Sequence, residues 1–88
     1  MTLRIELKPT AEKQYLRLGK KTRQRIKAAL LDLEQEERPL LHQSVRPLTG
    51  KLKGDYRIRI GEWRLLFTPD RKKKVIHIYT ILPRGDAY

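Results

Sequence analysis

Arg57, Arg59 and Arg64 are the residues of this chain whose type and spacing most readily do chemistry. They flank Gly61-Glu62. Before that pair Tyr56-Arg57-Ile58-Arg59-Ile60 alternates apolar and basic residues, and after it Trp63-Arg64-Leu65-Leu66-Phe67 broadly does the same. Alternation is the period of a strand with one buried face, and a two-residue connection with glycine first is a tight hairpin turn. Such a turn fixes the register, pairing Ile60 with Trp63, Arg59 with Arg64, Ile58 with Leu65, Arg57 with Leu66 and Tyr56 with Phe67. Opposed residues share a face. Tyr56, Ile58, Ile60, Trp63, Leu65 and Phe67 therefore form one apolar face, and the three arginines gather on the other beside Leu66.

Like charges so opposed start with Cβ atoms about 5 Å apart, which costs roughly 1 kcal/mol in bulk water and about 3 kcal/mol at the effective dielectric of a protein surface. Two readings follow. The arginines splay as a solvated basic face, their stems covering apolar surface, or three guanidinium forks converge on a phosphate, which arginine binds in bidentate geometry. Lys51 and Lys53 lie just upstream of this hairpin, and Arg84 follows the last strand. A basic site with tyrosines nearby suits single-stranded nucleic acid, where backbone charge gives affinity and an aromatic ring holds a base.

The chain offers little competing chemistry. It has no cysteine, which excludes a disulfide scaffold, a cysteine zinc site and a thiol nucleophile. His42 lies in a stretch without a motif and reads as a surface residue. His77 sits among Val75, Ile76, Ile78 and Tyr79 and reads as a packed or hydrogen-bonded side chain before it reads as an acid or base. No spacing of histidine with carboxylates suggests a metal site, so no cofactor is expected. The Arg71-Lys72-Lys73-Lys74 run reads as a solvated turn. In all, 21 basic and 10 acidic residues give a net charge of +11, a self-repulsion whose usual reason is a polyanionic partner. The excess leans toward the hairpin, with +4 on residues 1–44 and +7 on residues 45–88.

A chain of 88 residues supports one domain, residues 1–88, with a small core. No apolar run approaches the ~18 residues of a membrane span, and the opening is unlike a signal peptide, so a soluble cytoplasmic protein is expected. Leu3, Ile5 and Leu7 alternate with charged residues as a first strand that Pro9 ends. Thr10 is placed to cap a short helix with Ala11, Tyr15 and Leu18 inward and Gly19 just past its end. A second helix over residues 20–36 carries Ile26, Ala29, Leu30 and Leu33 on its stripe, with Leu31 at the margin. Lys20, Lys21, Arg23, Arg25 and Lys27 crowd its first turns, where the macrodipole disfavours cations, so this surface reads either as solvated or as selected for charge. Residues 38–55 have no sustained period and read as a long loop, with Leu40, Leu41, Val45, Leu48 and Leu52 available to tuck onto the core. Residues 68–74 read as a charged connection, and residues 75–82 as a central strand buried on both faces. The fold class is α+β: a small, mainly antiparallel sheet in the order β-α-α-β-β-β with an N-terminal helical hairpin packed on one face.

The stretch from Lys51 through Phe67, with the ending Leu82-Pro83-Arg84-Gly85-Asp86-Ala87-Tyr88, resembles the RelE-type toxins of the RelE/ParE toxin–antitoxin superfamily, most closely in their archaeal-type ending. The resemblance covers nearly the whole chain. It implies a toxin that cleaves messenger RNA in the ribosomal A site and so inhibits translation, without metal, by attack of a ribose 2′-hydroxyl on the adjacent phosphate. The basic pair of the first hairpin strand falls on Arg57 and Arg59, the phosphate-stabilising arginine on Arg64, the arginine after the last strand on Arg84 and the terminal tyrosine on Tyr88. Some relatives carry lysines at the first two positions. Arginine effectively never gives up its proton, so the base comes from elsewhere, with Lys51, Lys53, His77, Tyr88 or the ribosome open, or catalysis rests on positioning and electrostatics.

By the same resemblance the partners are an acidic RelB-like antitoxin that folds around the toxin, the ribosome and messenger RNA, with the toxin alone monomeric. Lys51, Lys53 and the helix residues Lys20, Lys21, Arg23 and Lys27 are the expected RNA contacts. The alternatives are a ParE-like toxin that poisons DNA gyrase and a relative that binds RNA without cutting it.

Overall fold

The computed structural model describes residues 3–83. Alternating Arg4–Leu7 forms β1, and the chain turns at once into α1, Pro9–Leu16. Pro9 occupies the first helical turn, where its missing N–H costs nothing, so it starts the helix rather than merely ending the strand. Lys8 is the N-cap residue, and Thr10 is exposed inside the first turn. Gly19 likewise moves: α1 closes at Arg17, and Gly19 is the extended N-cap of α2, Lys20–Gln35.

The segment over residues 38–55 is more ordered than its missing period suggests. Two single 3-10 turns, Pro39–Leu41 and Gly50–Leu52, bracket a short strand β2, Val45–Pro47. Val45 and Leu48 are buried and Leu40 and Leu52 half-buried, while Leu41 points outward at 73% exposure. The chain then forms β3, Tyr56–Ile60, β4, Trp63–Asp70, and β5, Val75–Pro83. Thr68, Pro69 and Asp70 thus belong to β4, and the connection shrinks to residues 71–74. Pro69 is tolerated because the hairpin alternation turns its nitrogen toward the side of β3, which ends opposite Phe67. Asp70 closes the connection by accepting the Lys73 N–H at 3.0 Å, and that backbone hydrogen bond is the chief reason its carboxyl titrates below the usual value.

The five strands lie in the order β1-β5-β4-β3-β2. Three of the four pairings are antiparallel, but β1 runs parallel to β5, from Arg4 beside Val75 to Leu7 beside Ile78, so the sheet is mixed. Between β3 and β4 every pair follows the register dictated by Gly61-Glu62. Gly61 has φ +60° and no positive φ occurs at Glu62, which is the glycine-first turn. A Cβ on Gly61 would lie 2.9 Å from the guanidinium carbon of Arg25. Gly61→Ala is therefore expected to cost about 1–3 kcal/mol, read as a lower thermal midpoint.

Both helices lie on the apolar face. Ala11, Ile26 and Leu33 pack with Ile58, Ile60, Leu65, Phe67, Ile76, Ile78 and Ile81 in one buried cluster. Phe67 is fully buried, and its ring stacks on Tyr56 with centroids 5.8 Å apart. Where β1 ends, the Gln14 side chain continues its pairing by accepting the Ile81 N–H at 2.7 Å. At the outer edge of β1 the Glu34 carboxylate accepts the Ile5 N–H at 2.8 Å. A side chain from each helix thus occupies backbone that would otherwise invite another strand.

Candidate nucleic-acid interface

With the helices committed to one face, the other face of the sheet is left to its own side chains. Arg59 lies directly opposite Arg64, and Arg64 opposite Leu82. The adjoining row holds Arg46, Arg57, Leu66 and Thr80, one from each of four strands. Arg46 is the member that sequence reasoning missed. Val45-Arg46-Pro47 is too short for a period to register, and only pairing with β3 sets Arg46 beside Arg57.

These arginines are unequally committed. The Arg57 guanidinium donates to the Ser44 carbonyl at 3.1 Å, and that oxygen also accepts the Arg59 backbone N–H at 3.0 Å. Arg57 is half-buried and partly engaged in holding the β2 approach. Arg46 folds back onto its own turn, donating to the carbonyls of Gln43 and Val45 at 2.9 Å each. The Arg59 side chain is exposed and has no hydrogen bond or ion pair among the described residues. Arg64 is half-buried on a strand paired on both sides, which gives it the most rigid mount of the set.

Below the arginines the face becomes polar. Asp55 accepts hydrogen bonds from the Thr68 hydroxyl at 2.9 Å and the Tyr79 hydroxyl at 2.8 Å. Desolvation, then the hydrogen bond and charge of Asp55, push Tyr79 up to about 12, so its hydroxyl remains a donor at neutral pH. Lys51 and Lys53 are exposed on the loop that closes onto Asp55 through Leu48 N–H to Asp55 C=O at 2.9 Å and Asp55 N–H to Leu52 C=O at 3.0 Å. This loop carries both lysines just ahead of the start of β3.

The structure does not gather every expected site residue. Lys20, Lys21, Arg23 and Lys27 belong to α2 and lie on the helix-covered side of the sheet. Arg23 also serves the fold, donating to the Leu16 carbonyl at 3.4 Å at the end of α1 while its own carbonyl accepts from the Tyr15 hydroxyl at 3.2 Å. Arg25 of the same helix reaches the hairpin turn, where its guanidinium lies against Gly61. His77 is opposite Thr68 on β4 and so shares the open face, four positions along the strand from Arg64; its Nδ1 is buried without a hydrogen bond and lies 3.7 Å from Glu6 Oε2 of β1, the strand on the far side of β5 from the arginines. Four residues of strand, about 13 Å, separate its row from that of Arg64, which sets it beyond contact distance of a phosphate held there. His42 stays local: its Nδ1 accepts the Ser44 N–H at 3.1 Å and its Nε2 lies 3.5 Å from Asp32. Arg84 and Tyr88 lie outside the described residues. Among the described residues no group of histidine, cysteine and carboxylate side chains could hold a metal ion, and no helix is long and apolar enough to cross a membrane.

The model of the family described as "ParE toxin of type II toxin-antitoxin system, parDE" matches residues 5–88. Among solved structures, the archaeal RelE–RelB complex from Pyrococcus horikoshii OT3 is 32% identical over 99% of this chain and 100% of that one, with a TM-score of 0.77. The YoeB dimer from Staphylococcus aureus is 25% identical over 99% and 100% of the two chains, with a TM-score of 0.71. The isolated Escherichia coli RelE toxin shares the fold, with a TM-score of 0.73 at 19% identity over 97% of this chain and 87% of that one. No curated protein matches the sequence. A helical hairpin on one side of a mixed sheet and an arginine-lined face on the other define a small cationic α+β toxin domain. The chain belongs to the RelE/ParE family of toxins of type II toxin–antitoxin systems.

Proposed function

We propose that this toxin is a ribosome-dependent messenger-RNA endoribonuclease acting in the A site. The observation that carries the reading is the directly opposed pair Arg59 and Arg64, with Arg57 one row away on the face the helices leave open. Opposing cations stabilise nothing by themselves, and a phosphodiester between them turns the repulsion into binding. The reacting groups both belong to the RNA: the ribose 2′-oxygen attacks the adjacent phosphorus, the bond to the 5′-oxygen breaks, and a 2′,3′-cyclic phosphate and a 5′-hydroxyl result. Arg59 and Arg64 would hold the phosphate and offset the charge that develops on its oxygens, and positioning in line supplies the remaining advantage. Guanidinium groups keep their protons, so the 2′-hydroxyl proton leaves to a group other than Arg57 or Arg59, with Lys51, Lys53, Tyr88 or ribosomal RNA as the candidates. The product 5′-oxygen takes a proton from the same surroundings. Arg84 and Tyr88 complete the set by resemblance, and Lys20, Lys21 and Lys27 form a separate surface for ribosomal RNA.

An acidic antitoxin of the RelB kind is the proposed protein partner, as in the archaeal complex, and the net charge of +11 supplies the complement. Purified protein added to translating ribosomes is expected to create new 5′ ends inside codons by primer extension, and to leave the same RNA intact without ribosomes. The matching ParE model favours a second reading, in which the toxin binds DNA gyrase; gyrase-linked DNA breaks with uncut messenger would establish it instead.

A further inference from the structure

Asp55 sets a carboxylate next to the arginines of this face. A carboxylate there repels a phosphate, so a bound strand would set something other than its backbone against it. Asp55 precedes Tyr56 of β3 and lies two residues from Arg57 on the same side, a spacing of about 7 Å along a strand. Its two oxygens accept from Thr68 of β4 and Tyr79 of β5, which leaves each with an unused lone pair. Tyr79 is the residue passed over where the β4–β5 register slips, between Leu66 opposite Thr80 and Phe67 opposite Ile78. Bulges commonly re-aim a side chain. Here the bulge brings Tyr79 onto the arginine side, and Asp55 then fixes its hydroxyl while both residues stay half-exposed.

We propose that Asp55, Thr68 and Tyr79 form a nucleobase-recognition site adjoining the arginine face, selective for a base with an exocyclic amine. This rests on the RNA reading above and adds a determinant of sequence choice. The Tyr79 ring offers a stacking surface, as aromatic residues in basic grooves do. The Asp55 carboxylate accepts from the amine, as carboxylates do from cytosine N4. Uracil presents a carbonyl oxygen at that place and is repelled. Thr68 and the Tyr79 hydroxyl hold the carboxylate in orientation, and Arg57 holds the neighbouring phosphate.

The test is a reporter messenger whose codons differ only by cytosine or uracil at each position, cut by full-length protein on translating ribosomes and read by primer extension. The wild type is expected to prefer cytosine at one codon position by about fivefold or more, the lower end of what one base contact discriminates. Asp55→Asn places a donor among the acceptors and is expected to erase or invert that ratio. Tyr79→Phe keeps the ring and frees the carboxylate, so its ratio falls partway, and Thr68→Val does the same if Asp55→Asn fails to fold. A merely structural role would lower cutting at all codons equally, and an unchanged ratio in folded variants overturns this site while the RNA reading stands. A wild-type protein that makes no cuts overturns both.

Discussion

Arg64→Ala is expected to lower the rate of messenger cutting on ribosomes by about 10²–10³-fold, the loss typical of removing one preorganised group from a developing oxyanion. Arg64 is the choice because of its mount. It stands on β4, paired to β3 through Arg59 and to β5 through Leu82, so its Cα is fixed from both sides. The Arg57 guanidinium is already engaged by the Ser44 carbonyl, and Arg59 is an exposed partner on a strand nearer the sheet edge. Arg59→Ala should therefore cost less than Arg64→Ala. Arg64→Lys keeps the charge and loses the planar fork, so an intermediate defect separates bidentate geometry from charge alone. A time course by primer extension decides it, with far-ultraviolet circular dichroism to confirm the fold. Near-normal cutting by a folded Arg64→Ala protein would remove this arginine from the chemistry.

The largest effect on stability is expected at Phe67. Its side chain is fully buried, stacks on Tyr56 with an interplanar angle of 16°, and sits between the hairpin and the helices in the main cluster. Phe67→Ala removes that volume from a core whose neighbours are held by backbone pairing and cannot close the gap. The expected loss is about 3–5 kcal/mol, against a total of about 5–15 kcal/mol for a typical domain. The described residues pack around one main core cluster, so urea unfolding should show a much lower midpoint with the slope little changed, and much of the variant should be unfolded at 37 °C. Phe67→Leu retains most of the volume and is expected to cost distinctly less. A small change for Phe67→Ala would mean that the helices and not the stacked pair hold the sheet.

The hairpin was legible to the last pair because everything that sets it is local. Gly61 provides the positive φ, two residues fix the register, and alternation assigns each side chain a face. The limits of α2 were similarly readable from the spacing of Ile26, Ala29, Leu30 and Leu33, although Leu31, at 49% exposure, stays outside. Strand β2 was not legible. Three residues between Pro39 and Gly50 have too little pattern of their own, and Val45 joins the core through its pairing opposite Ile58. Pro9 and Gly19 each serve the element after the one their local pattern suggests, since the same residues are compatible with either side of a helix boundary until the neighbouring helix is placed.

The sequence by itself determined the charge, the hairpin, the pairing of Arg59 with Arg64, and the separation of apolar from basic residues. Tertiary structure alone decided that β1 runs parallel beside β5, that Arg46 joins the arginines, and that the basic start of α2 lies across the sheet from them. It alone set Asp55, Thr68 and Tyr79 in contact and turned His77 toward Glu6. The division has one physical cause. Periods and turns are written in neighbours along the chain, whereas Tyr79 meets Asp55 24 residues away, and that meeting depends on how the strands are ordered and where one of them bulges.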